Sequence, residues 1–149
     1  MSTTLKGRLT EDVKVAMKAG EKNRLRVLRL LLADIKRVEV DTRREPDDIE
    51  TLSIMEKAVK QRRDSIEQFA KGGRQDLADI EQAELDIIAS YLPEPLSDPE
   101  LDRLIASVIE ETGAGSVRDM GRVMAIIKAK AAGRADMAAV GARVKSRLA

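Results

Sequence analysis

Apolar residues recur every three or four positions along nearly the whole chain, and the strict alternation of a half-buried strand is missing. This spacing predicts seven helices, at about residues 3–19, 22–41, 47–71, 74–91, 98–112, 116–132 and 136–148, and an all-α fold. Ala, Leu, Glu, Lys, Arg and Met dominate these stretches, which favours helix. Gly20, Gly72-Gly73, Gly113 and Gly133 fall at their ends, where a left-handed cap residue is wanted. Ser97-Asp98-Pro99-Glu100 reads as a capping box with proline inside the first turn. Asp47-Asp48-Ile49-Glu50 and Ser116-Val117-Arg118-Asp119 are weaker versions, and Asp136 caps the last helix. Pro93-Glu94-Pro95 cannot continue a helix. A linker over 93–97 therefore separates an N-terminal helical domain of about four helices (1–92) from a C-terminal three-helix domain (98–149).

Helix faces sharpen this picture. In the second helix Leu25, Leu28, Leu31, Leu32, Ile35 and Val38 share one broad side, as expected of a central, well-packed element. Lys22, Arg26, Arg29, Lys36 and Arg37 share a narrow opposite strip, which is either a nucleic-acid face or the wet side of the helix. In the third helix Met55, Val59, Arg62, Ile66 and Phe69 form one stripe, so a charge interrupts the apolar row. In the fourth, Leu77, Ile80, Glu84, Ile88 and Tyr91 do the same with the opposite sign. If Gly72-Gly73 turns an antiparallel hairpin, Arg62 lies ten residues before it and Glu84 eleven after, facing each other. An unpaired charge on a buried face costs several kcal/mol. The spacing therefore predicts an Arg62–Glu84 ion pair, with Glu81 as the second choice of carboxylate; a catalytic role for the carboxylate is the other reading. In the sixth helix Met120, Val123, Met124, Ile127 and Ala131 form the apolar stripe, Arg118 and Arg122 lie a turn apart elsewhere, and Lys128 and Lys130 border the stripe. Gly121 would permit close approach of another helix.

Composition narrows the chemistry. The 149 residues contain no Cys, His or Trp, and Phe69 and Tyr91 are the only aromatics. Without thiol or imidazole, the chain by itself cannot build a thiol-dependent glutaminase, a Ser-His-Asp hydrolase, a zinc finger or a disulfide framework. It shows no glycine-rich phosphate loop and no carboxylate cluster with metal spacing, so neither cofactor nor metal is expected. No apolar run approaches a membrane span, and the start lacks the apolar core of a signal peptide, so the expected location is cytoplasmic. Base stacking on aromatics is not expected of two aromatics placed on core stripes, whereas recognition of folded RNA through its backbone stays open.

The net charge of +1 conceals an uneven distribution. Residues 1–74 carry a net +5, residues 75–111 a net −10 and residues 112–149 a net +6. Basic ends attract phosphate and an acidic middle repels it. The alternative is that these are solvated faces attracting one another within the fold.

Several local patterns occur in a telling order: Arg24-Leu25 with Leu28-Arg29, Lys60-Gln61-Arg62-Arg63-Asp64-Ser65-Ile66, Gly73-Arg74-Gln75-Asp76-Leu77, Glu81 with Glu84, Tyr91-Leu92-Pro93, Asp119-Met120-Gly121-Arg122-Val123-Met124 and Gly133-Arg134-Ala135-Asp136. Together, over essentially the whole chain, they resemble the YqeY family, also called GatB/YqeY-domain proteins. The resemblance implies a small all-helical protein whose C-terminal domain is similar to the tail of the B subunit of the glutamine-dependent tRNA amidotransferase. That tail helps hold tRNA, while ATP, metal and glutaminase sites lie elsewhere in the enzyme. The family label of carbon–nitrogen ligase with glutamine as amido-N-donor finds no catalytic apparatus in this composition.

The expectation is thus a non-catalytic accessory protein that binds tRNA through phosphate contacts from Arg118, Arg122, Lys128, Lys130 and Arg134, with no catalytic residue, metal or membrane partner. The alternatives are an adaptor that docks a translation enzyme, or a carbon–nitrogen ligase as the family label reads.

Overall fold

A computed structural model describes residues 4–149; residue 3, where the first helix was expected to start, lies outside the described residues. The described residues form an all-α protein that divides into two compact units, residues 4–92 and Pro93–Ala149.

The first unit holds α1 (Leu5–Ala19), α2 (Lys22–Thr42), α3 (Asp48–Lys71) and α4 (Gln75–Ala89). Helix α2 packs against the other three. That position explains its wide apolar arc: Val27, Leu28, Leu31 and Ile35 are fully buried against Leu9, Met55, Ala58 and Ile88. Helices α3 and α4 form a tight hairpin. Gly73 makes its turn at φ +72°, a conformation in which a Cβ is strained, while the Arg74 N–H returns 2.8 Å to the Phe69 carbonyl. Asp47 caps α3 by accepting from the Glu50 N–H at 2.8 Å, and Asp48 accepts the Leu5 N–H at 2.9 Å, tying the start of α1 to the start of α3.

Two details of α4 depart from the spacing. The helix stops at Ala89, and Tyr91 follows in a turn closed by its N–H on the Ile88 carbonyl. Ile80, expected on the apolar stripe, is 52% exposed. At ~100° per residue it lies about 80° round from Ile88, on the side away from Leu85 and Ala78. The buried face is centred between Leu85 and Glu84, which leaves Ile80 past its edge.

The second unit holds α5 (Asp98–Thr112), a single 3₁₀ turn (Val117–Asp119), α6 (Met120–Ala131) and α7 (Met137–Leu148). Helix α6 packs against both α5 and α7, around Ile105, Val108, Val123, Ile127, Val140 and Val144. The helix expected from residue 116 begins as 3₁₀ because local side chains claim the backbone donors. Ser116 Oγ accepts from the Arg118 N–H at 3.3 Å, and Asp119 Oδ2 accepts from the Gly115 N–H at 2.9 Å. The proline-rich stretch does not hang free: the Leu96 N–H donates 2.9 Å to the Arg134 carbonyl. No helix among the described residues is long and apolar enough to cross a membrane.

Candidate nucleic-acid interface

The five cations expected to meet phosphate all lie in the second unit, in three kinds of surroundings. Arg118 and Lys128 are exposed and have no carboxylate within ion-pair distance among the described residues. Arg122 and Lys130 are exposed but paired: Arg122 Nη2 lies 3.3 Å from Asp119 Oδ1, and Lys130 Nζ lies 3.4 Å from Glu111 Oε2. Arg134 is engaged in the fold. Its Nε donates 2.8 Å to the Glu94 carbonyl, its Nη2 lies 3.8 Å from Glu100 Oε2, and its own carbonyl accepts Leu96. Arg134 thus fastens the proline-rich segment to the α6–α7 connection.

Helix α6 spreads its cations around its exposed arc. At ~100° per residue, Arg122 is central, with Lys128 and Lys130 toward the two edges of the apolar stripe. Helices α6 and α7 contain no acidic residue, and Lys128, Lys130, Lys145 and Arg147 fall in last turns, where the helix dipole also favours them. Carboxylates reach them only from outside these two helices. Helix α5 supplies Asp98 and Asp102, each 2.8 Å from an Arg143 nitrogen, and Glu111 for Lys130. The Asp119 carboxyl is held below its ordinary range chiefly by the Gly115 N–H, with Arg122 adding to the effect.

Gly121 does not serve a close helix approach: a Cβ built there meets nothing within 4 Å. The glycine in contact is Gly141 on α7, where a Cβ would sit 3.7 and 3.8 Å from the Met120 and Met124 methyl groups. The sequence carried no signal for this beyond a glycine inside a helical stretch.

In the first unit the structure brings Arg62 and Glu84 together. Glu84 is 7% exposed, and its Oε2 lies 3.4 Å from Arg62 Nε. The contact is an ion pair without an aligned hydrogen bond: Arg62 Nε is buried with no hydrogen-bond partner, while Nη1 donates 3.1 Å to the Ala58 carbonyl. Glu84 has a second partner. Arg26, expected on the strip opposite the apolar side of α2, reaches Glu84 Oε1 at 2.6 Å. Glu81 forms no ion pair among the described residues.

Tyr91 organises a second polar cluster that spacing did not disclose. Its hydroxyl donates 2.5 Å to Asp12 Oδ2 and accepts from Arg24 Nη2 at 2.9 Å. The Arg8 and Arg24 guanidinium carbons lie 5.3 and 5.6 Å from the ring centroid, within cation–π range. Burial and the Asp12 acceptor push the phenol up to about 12. Among the described residues no three Cys, His, Asp or Glu side chains group as metal ligands would.

These features can be set beside known proteins. Three fungal relatives, each named altered inheritance of mitochondria protein 41, mitochondrial, are similar to the chain. The protein of Pyrenophora tritici-repentis is 34% identical over 131 residues, covering 83% of this chain and 71% of its own length. That of Lachancea thermotolerans is 36% identical, covering 69% of this chain and 57% of its own length. That of Eremothecium gossypii is 44% identical over 85 residues, covering 56% of this chain and 46% of its own length. The chain thus spans about half the length of the latter two relatives. A model described as Yqey-like protein matches residues 6–148, which takes in both helical units and every cation and carboxylate described above, and the chain belongs to the YqeY family.

Proposed function

We propose that the protein is a non-catalytic accessory factor that binds tRNA through phosphate contacts made by its second unit. The observation that carries the reading is the make-up of α6 and α7: twenty-four residues with six cations and no carboxylate, with Lys128, Lys145 and Arg147, and Arg118 just before α6, left without carboxylate partners among the described residues. Phosphate contacts need exposed, unneutralised cations on a rigid element. Arg122 and Lys130 join them, because exposed ion pairs contribute at most about 1 kcal/mol and exchange readily for phosphate. Arg134 is a positioning residue in this reading, since its guanidinium holds the 94–96 segment. The absence of thiol and imidazole leaves bond-making to other molecules, which argues against ligase activity in the isolated chain. A cytoplasmic location belongs to the same reading; the mitochondrial label belongs to the relatives that bear it.

The test is fluorescence anisotropy of labelled tRNA with the full chain, across a salt series. The expected affinity falls steeply with salt, and Arg118→Glu with Lys128→Glu weakens it by about tenfold or more while shallowing the salt slope. Absent binding, or an affinity flat between low and moderate salt, overturns the reading.

A further inference from the structure

Helix α2 carries a surface that the tRNA reading does not use. Lys22, Leu25, Arg26, Arg29 and Leu30 line a shallow groove of about 310 Å³ with no carboxylate in its walls. Their spacing places them within one arc of the helix, where Arg29, Lys22 and Arg26 form a central cationic row and the two leucines flank it on either side. Leu30 is 44% exposed, and Leu25 is half-buried. Lys22 and Arg29 have no carboxylate partner among the described residues.

We propose that this groove docks an acidic amphipathic helix of a partner protein. The charge is complementary: three cations stand together on one arc, and Glu84, the carboxylate paired with Arg26, has Arg62 beside it as well. Arg26 can swing to an incoming carboxylate without stranding Glu84, because Arg62 stays beside it. Carboxylates three and four residues apart on a docking helix match the Lys22, Arg26 and Arg29 spacing, and apolar side chains between them cover the leucines. An RNA backbone fits less well. It satisfies the cations but leaves both leucines in water, and base stacking needs an aromatic this surface lacks: Tyr91 is buried and Phe69 lies on α3.

The experiment selects a display library of random sixteen-residue peptides against the full chain, then measures individual peptides by anisotropy. The expected winners are net negative with apolar residues at three- and four-residue spacing. Their affinity falls about tenfold on Arg29→Glu and roughly fivefold on Leu30→Ser. Both side chains are exposed, and an unchanged far-ultraviolet circular dichroism spectrum confirms that the variants are folded. Failure to enrich peptides, winners without acidic character, or binding that survives both substitutions overturns the proposal. So does loss of tRNA binding in Leu30→Ser and Arg29→Glu together with displacement of the peptides by tRNA, which makes the groove an RNA surface.

Discussion

Arg26 and Arg62 each meet a different oxygen of Glu84, Oε1 at 2.6 Å and Oε2 at 3.4 Å, but their burial differs: the Arg26 side chain is 50% exposed and that of Arg62 13%. The two arginines are therefore not equivalent. Loss of Arg26 leaves Glu84 with a buried partner. Loss of Glu84 leaves Arg62 charged, largely out of water and with an already unsatisfied Nε.

From this follows an order of stabilities in urea denaturation. Glu84→Gln costs about 3 kcal/mol, because it breaks a buried pair from the side that leaves a charge stranded. Arg26→Ala costs about 1 kcal/mol or less, in the range of exposed pairs. Equal losses from the two variants would contradict the unequal burial.

Tyr91 is the only tyrosine, so its ionisation can be read directly from phenolate absorbance. The folded midpoint is expected near 12, against an ordinary value of about 10. A raised folded value means that the stability Tyr91 contributes is complete below about pH 10 and is lost as pH climbs through 12. Asp12→Asn should move the midpoint down, since the Asp12 carboxylate favours the neutral phenol. A midpoint at the ordinary value in the folded protein would show that the Asp12–Tyr91–Arg24 cluster does not form.

Helix α2 ends on Arg43 at φ +58°, the one left-handed non-glycine residue among those described. A Cβ in that conformation costs roughly 1 kcal/mol, and the side chain has no ion-pair partner among the described residues to compensate. Arg43→Gly is expected to raise the stability of the first unit by up to about 1 kcal/mol, seen as a higher thermal midpoint. A lower midpoint would mean that the flexibility gained by the unfolded chain outweighs the relieved strain.

Gly121 stands in the first turn of α6 with open space around its notional Cβ. Gly121→Ala should stabilise the second unit by roughly 0.5–1 kcal/mol through helix propensity. Gly141→Ala should be tolerated as well, because its Cβ would make ordinary contacts with Met120 and Met124, whereas Gly141→Leu drives both methionines aside and costs about 1–3 kcal/mol. Thermal melts of the three variants separate these cases.

Much of this protein was readable from spacing alone. Period and caps located the helices to within a few residues, since both are properties of neighbouring positions on one strand of chain. Arg62 and Glu84 were conspicuous for the same reason: each interrupts its own helix's apolar row. What spacing could not convey was how far each helix is rolled and which faces meet. Arg26 on Glu84, Tyr91 between Arg24 and Asp12 at separations of 67 and 79 residues, and the pairing of Arg143 with Asp98 and Asp102 all depend on those rotations. So does the exposure of Ile80, and so does the division of the cations into fold-engaged Arg134, paired but exposed Arg122 and Lys130, and Arg118 and Lys128, which have no carboxylate partner among the described residues. A charge pattern specifies which side chains are available for pairing; only packing brings particular partners within a few ångströms.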